Sequence, residues 1–521
     1  MTTDGIGGVR VSSRMQGPGV VELLNTVEAR LPVSQWTVDG LRVWPFLRIA
    51  VGSAFAVARR AIRSGTTPAA AAPGGTSRMP GARILRDVVQ FSKAYVRDFS
   101  QNQSPRAKYD AVFLISTHHR RVRVRGRWLC PHSQPFLHHL RSLGATALVL
   151  ERHRNGYRIP RYGRSCFLDV RQRAATKLAS RRSPAPSAVK LPGVSELPAL
   201  LDPVRDSRRY DEAYILATTR SLRAKADYFK SILIRTGARV GFVVCYYNLD
   251  GMAFCLACRE VGIPSVDIQH GVQGPEHFAY GQWRNIPPEG YELLPSHFWC
   301  WSEAEVDTIR AWSAPVKQHT PVLGGNLWIN AWKRLRDQLD DAAGLDAVRE
   351  PGRIDVLYTF GLEPELPEEI RDAIQASPPS WTWWLRLHPG MAPGSLERIR
   401  AQLNGVAGGA SIELDRATAA PLLSLLMRTD VHVTHYSSVT FEAAAVGVPS
   451  VIVHPIGETY YANLIDAGWA TVARSGGAVC RAVERWVERR PASAGRLAIH
   501  LPEAVEIERL RELLAQPPHR A

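Results

Sequence analysis

Residues Asp430–Pro455, DVHVTHYSSVTFEAAAVGVPSVIVHP, read as strand, tight polar turn, helix, strand. Val431, Val433 and Thr434 suit a short buried strand. His435, Tyr436, Ser437 and Ser438 then break the apolar pattern. Phe441, Ala444, Ala445 and Val448 follow the i, i+3, i+4, i+7 spacing of a helix face. Gly447 and Pro449 end that helix, because glycine accepts a left-handed cap and proline cannot continue the helix. Ser437 or Ser438 is thereby placed at a helix start, where free N–H groups and the positive dipole end favour an anion. Taken alone, the same pattern also describes an ordinary serine cap in an α/β unit.

The surrounding chain repeats the alternation. Ala111–Ile115 predicts a buried strand, followed by a basic loop, a helix over Pro135–Leu143 and a strand over Thr146–Leu150. A long helix over Asp211–Thr236 leads to a strand at Val240–Tyr246. A helix through Cys255–Val261 and a strand at Ser265–Ile268 follow. A second series opens at Ile354–Phe360 and continues through a helix from Glu368, strands at Trp383–Leu387 and Ser411–Leu414, and a helix at Pro421–Arg428. Val479–Ala515 is expected to finish it. The fold class is α/β, with two parallel-sheet halves: an N-terminal domain over 105–325 and a C-terminal domain over 326–515. Residues 1–100 read as a helical extension and linker. Within them WPFLRIAVGSAFAVARRAIR either packs on the body or lies on an anionic membrane surface. Ser64–Gly81 reads as a flexible linker, and Gln172–Pro198, rich in Arg, Ser, Ala and Pro, reads as a loop.

Composition narrows the partners. The chain has 521 residues and a net charge of +17, which favours anionic partners. The basic residues are dispersed, and no zinc-finger, RNP-like or helix-turn-helix pattern is present, so nucleic acid is not the expected partner. Seven scattered cysteines suggest reduced thiols, and Cys255 and Cys258 sit in what reads as a packed helix. Met1–Pro18 is polar and no apolar run reaches the roughly 20 residues that span a bilayer, so a cytoplasmic protein is expected.

Three polar interruptions fall at predicted strand ends, the edge where parallel sheets bind ligands: Gln269-His270-Gly271, His388-Pro389 and His435–Ser438. The combination IQHG, LRLHPG and THYSSVTFEAAAVGVPSVI, spread over roughly residues 109–480, resembles the GT-B-fold transferases of bacterial surface polysaccharides. The nearest groups in pattern are the capsule-polysaccharide, Kdo-transferase-like and CDP-glycerol glycerophosphotransferase-like ones. The bacterial sialyltransferases share the HP and SS logic.

The resemblance implies two Rossmann-like domains facing a cleft, with a nucleotide-activated donor held by the C-terminal one. It implies a metal-independent glycosyltransferase without a cofactor, its donor CMP- or CDP-linked sooner than UDP- or GDP-linked. The acceptor would be a glycan or a lipid-linked one, with possible peripheral contact at the inner face of the cell membrane. In that frame His388 and Pro389 approach the donor phosphates, as do Ser437, Ser438, Thr359 and Gly361, and Glu442 accepts from the ribose. His270 is the candidate general base, with Asp250 as its rival. His270 has an unperturbed pKa near 6.5 that suits proton abstraction. Glu276 and His277 follow on the same loop, and the arginines of His118–Arg127 are placed to hold an anionic acceptor. No D-x-D is placed for a metal, no G-x-G-x-x-G follows either first strand, and no P-loop is present. The rival readings are an epimerase of the UDP-GlcNAc 2-epimerase type and a non-catalytic glycan- or nucleotide-binding protein.

Overall fold

The computed structural model describes residues 19–63, 80–153, 156–182, 186–201, 209–316, 318–340, 345, 351–362, 365–392, 394–406, 408–489 and 501–516. The expected linker at Ser64–Gly81 falls almost wholly outside them.

Two all-parallel sheets organise the chain. The first has seven strands, in the order Thr320–Leu323, His297–Cys300, Ser265–Ile268, Val240–Val244, Ala111–Ser116, Ala147–Arg152 and Cys166–Phe167. The second has six, in the order Ser411–Glu413, Trp381–Arg386, Ile354–Thr359, Val431–Thr434, Ser450–Ile452 and Ala470–Val472. Ala111–Ser116 is buried at every residue, as a strand covered by helices on both faces must be. This is the expected GT-B-like pair of Rossmann-like domains. The strands His297–Cys300 and Thr320–Leu323 were not expected.

The helices Val20–Arg30 and Trp44–Arg63 bring residues into the first domain's core. Leu24, Val27, Trp44, Leu47 and Val51 share one apolar cluster with Val112, Leu148 and Phe254. Arg48 is fully buried in an ion pair with Glu28, and it donates to the carbonyls of Phe278 and Gly281. Residues Trp44–Phe55 therefore favour the packed reading over the membrane-surface one. No described helix is long and apolar enough to cross a membrane.

Two further expectations are corrected. Asp169–Arg182, most of whose length was read as loop, is a helix packed on the long helix Glu212–Thr236. Its Ala, Arg, Lys and Gln residues are good helix formers even without a wide apolar face. The last helix, Glu503–Ala515, does not finish the second domain. Leu510, Leu513 and Leu514 pack with Phe113, Phe136 and Val149 of the first. Of the Val479–Ala515 stretch, the helix Gly476–Arg489 is the part that stays with the second domain, packed against Glu368–Ala376.

Candidate functional site

Because every strand of a parallel sheet runs the same way, all the carboxyl ends lie along one edge. The peptides leaving those ends carry Thr117–His119, Tyr246-Tyr247 and Gln269-His270 in the first domain, and Gly361, His388 and His435–Ser438 in the second.

In the first domain this edge gathers imidazoles. His119 sits 6.2 Å from His270 between ring centres, His132 lies 6.1 Å from His270, and His119 lies 5.9 Å from His132. His270 Nδ1 faces the Ile268 carbonyl at 3.2 Å, which requires the proton on Nδ1 and leaves Nε2 as a lone pair. The Tyr247 hydroxyl meets that lone pair at 3.1 Å. Burial pulls His270 down to about 4, so the ring is neutral at physiological pH and able to accept a proton. Burial, with the neighbouring imidazoles, drives His119 well below its usual value too. His132 Nε2 is buried and makes no hydrogen bond to any described residue. Tyr247 is held in place from behind, since the Tyr246 N–H donates to the buried carboxylate of Asp267 at 3.0 Å.

The second domain contributes a carboxyl and a guanidinium. Burial pushes the Glu442 carboxyl up to about 7, while Arg121 and Arg386 pull it part of the way back. Arg121 belongs to the first domain, so Glu442 is coupled across the cleft to the imidazole side. Arg386 donates to the carbonyls of Ala417 and Ala420, each at 2.6 Å, and burial brings its guanidinium down to about 10. Glu276 likewise acts across the gap on Tyr460. The loop carrying Glu276 also borders an open groove of about 600 Å³, lined on its other side by Val21, Asn25 and Thr26.

The other expected site residues fall into two sets. His388 Nδ1 accepts from the Gly390 N–H at 2.9 Å, which places the ring proton on Nε2. Pro389 is exposed beside it and Gly361 is half-buried. Ser437 Oγ accepts from the Val439 N–H at 3.4 Å, and its carbonyl accepts from Thr440, so it caps the turn as expected. The Ser438 hydroxyl makes no side-chain cap bond.

Asp250 and Thr359 are engaged elsewhere. Asp250 Oδ1 accepts from Lys225 at 2.6 Å and Gln172 at 2.9 Å, and Oδ2 pairs with Arg152 at 2.9 Å. These cations hold its carboxyl below its usual range against the opposing effect of burial. A carboxylate locked between two cations is a poor proton acceptor. Thr359 Oγ1 is bonded within the sheet to His432 Nε2 at 2.8 Å, and His432 Nδ1 meets Ser450 Oγ at 2.9 Å. His435 pairs with Glu369 at 3.0 Å.

The basic loop is divided by the structure. Arg120 is buried on Glu151, and the hairpin Val122–Val124/Arg127–Leu129 bonds to Asp340 through the Gly126 N–H at 2.8 Å. Val124 and Leu129 join Trp301, Leu357 and Phe441 in one apolar cluster that spans both domains. The loop is therefore a domain connection, and Arg121 is its member facing the cleft. His132, Tyr247 and Arg386 were not singled out from sequence as cleft residues, and Arg121 and His119 entered only through the basic loop His118–Arg127. A histidine pair directly after the first strand was the one local signal available.

No family model matches the chain, and no curated protein sequence matches it. Among solved structures it is similar to UDP-GlcNAc 2-epimerase from Neisseria meningitidis bound to UDP-GlcNAc. That match has 13% identity and a TM-score of 0.48, over 78% of this chain and 100% of the other. It is also similar to the wall teichoic acid polymerase TagF, at 9% identity and a TM-score of 0.41, over 83% and 96% of the two chains. A third is CalG4, the calicheamicin glycosyltransferase, at 13% identity and a TM-score of 0.39, over 78% and 94%. Likeness at this level leaves the chemistry to be read from the cleft residues themselves.

Proposed function

We propose that the chain is a GT-B-type glycosyltransferase of bacterial surface-polysaccharide assembly. It moves a sugar or polyol phosphate from a nucleotide-activated donor to a glycan or lipid-linked acceptor on the cytoplasmic side of the membrane. One observation carries the reading. Neutral imidazoles on one domain's sheet edge face a cationic, carboxyl-bearing edge on the other, across a cleft crossed by the Arg121–Glu442 coupling.

His270 is the proposed base. Its Nε2 lone pair takes the acceptor proton directly, in the place of the Tyr247 hydroxyl, or through that hydroxyl. Arg121, His388 and the hydroxyls of Ser437 and Ser438 meet the donor phosphates, where charge develops on the leaving group. Glu442, near half-protonation at neutral pH, both donates to and accepts from the donor. Asp250, committed to Lys225, Gln172 and Arg152, takes no part in proton transfer. A thermal-shift screen with CMP, CDP, UDP and GDP identifies the nucleotide. Transfer from the matching donor to a lipid-linked glycan then tests the reaction, and stabilisation by none of the four would sink it.

A second reading rests on Glu442 alone. A carboxyl that titrates near 7 opposite neutral imidazoles is also the kind of acid–base pair that an epimerase needs. Incubation with UDP-GlcNAc and no acceptor separates the two, because epimerisation needs no second substrate.

A further inference from the structure

The helix Gln134–Ser142 and the returning helix Glu503–Ala515 meet at a cluster that the cleft does not use. We propose that His138, His139 and Glu503 bind a divalent transition-metal ion that staples the C-terminal helix to the first domain. One ligand atom from each lies within 4.8 Å of the others.

The argument turns on His139. Its ring is fully buried, and Nε2 lies 2.9 Å from the buried carboxylate of Glu506. That contact places a proton on Nε2. Glu506 is fixed in turn by Asn330, which donates to its other oxygen at 2.9 Å. Nδ1 is then a bare lone pair, and it makes no hydrogen bond. It nevertheless faces Glu503 Oε1 at 3.5 Å. A lone pair and a carboxylate oxygen repel unless a cation lies between them. With metal–nitrogen and metal–oxygen bonds of about 2.0–2.2 Å, two ligands of a tetrahedral ion sit about 3.4 Å apart. The observed separation matches one such edge. The carboxylate–imidazole–metal chain from Glu506 is the arrangement that fixes the tautomer and orientation of a metal-bound histidine. Glu503 Oε2 is held by Arg334 at 2.9 Å, which leaves Oε1 as the single oxygen offered. Exposed His138 supplies the third ligand, and water completes the set. Two imidazoles and one carboxylate suit zinc and its neighbours.

The competing state is a doubly protonated His139 that bridges the two carboxylates with no metal. Titration of the chelator-treated full chain with Co(II) distinguishes them. One equivalent of Co(II) is expected to give four-coordinate visible bands, displaced by Zn(II), with a rise in melting temperature. His138→Ala and Glu503→Gln are exposed changes that leave the buried His139–Glu506 pair in place. Each is expected to weaken Co(II) binding at least about tenfold. Absence of binding by the wild-type chain overturns the site. Unchanged affinity and stoichiometry in the double variant does so too, because the ion is then held elsewhere.

Discussion

His270 and Asp250 began as equals and their surroundings separate them. His270 is neutral, has one nitrogen fixed by a carbonyl, and has the lone pair of the other met by the Tyr247 hydroxyl. Asp250 has both oxygens committed to Lys225, Gln172 and Arg152. Their substitutions should therefore fail differently. His270→Ala is expected to lower kcat by about 10²–10⁴-fold with little change in stability, as loss of a general base does. Asp250→Asn leaves two cations facing a neutral amide. Both cations are partly solvated, so the cost is about 2 kcal/mol of stability, below that of a fully buried pair. Urea midpoints and steady-state rates on both variants check this, and a reversal of the two patterns would reassign the base.

Glu442 allows a pH test at the same scale. A free Glu titrates near 4.3, and this one titrates near 7 in the folded chain. Below about pH 4 the carboxyl is protonated in both states, and its neutral burial is fully stabilising. As pH rises from about 4.3 to 7 the unfolded chain ionises first, so that contribution is lost, and the loss is complete above 7. Glu442→Gln removes the titration. The wild type should lose stability relative to this variant between pH 5 and pH 8, read from urea midpoints at the two pH values. A constant difference would mean that Glu442 is ionised throughout.

At the scale of elements, the turn that presents Tyr247 depends on Gly251. A Cβ there would meet the Tyr246 carbonyl oxygen at 2.5 Å and its Cα at 2.7 Å, backbone atoms that have no room to give. Gly251→Ala should cost about 1–3 kcal/mol and also cut activity, because the displaced turn carries His270's partner. Asp211→Ala, which removes an N-cap accepting from Tyr214 at 2.8 Å, should cost about 1 kcal/mol and leave the rate alone. Thermal melts paired with rate measurements separate the two. Gly251 was not legible from sequence, because the close approach of Tyr246 appears only in the folded turn. The central strands were legible because continuous apolar runs such as Ala111–Ile115 have no other stable home. His297–Cys300 and Thr320–Leu323 escaped because neither is a run of β-branched residues: the first is His-Phe-Trp-Cys, and the second carries Pro321 inside it. The histidines at strand ends were legible because a parallel sheet delivers them to one edge. The engagement of Asp250 and Thr359 was not, since Arg152, Lys225 and His432 approach from distant parts of the sequence.

For the whole molecule, Arg121 matters because it stands on one domain and acts on the other. Its segment is tied to the second domain by the Val122–Leu129 hairpin, so the guanidinium is carried on the connection between the sheets. An anion bound beside Ser437, Ser438 and His388 would meet this cation from the opposite wall, and binding would join both halves. Such a ligand stabilises both domains together, by about 2.7 kcal/mol at a hundred times its Kd. Arg121→Ala should weaken nucleotide diphosphate binding roughly 10–100-fold, the loss of one charge-assisted contact of about 1.5–3 kcal/mol. Its own melting temperature without ligand should stay near that of the wild type, since its hydrogen bond among the described residues is a long 3.4 Å contact from Nε to the His118 carbonyl. The nucleotide-induced shift should also shrink as ionic strength rises, because a partly exposed charge contact is screened within about 8 Å at 0.15 M salt. A ligand shift that survives Arg121→Ala unchanged would place the nucleotide on the second domain alone and leave the imidazole wall out of its binding.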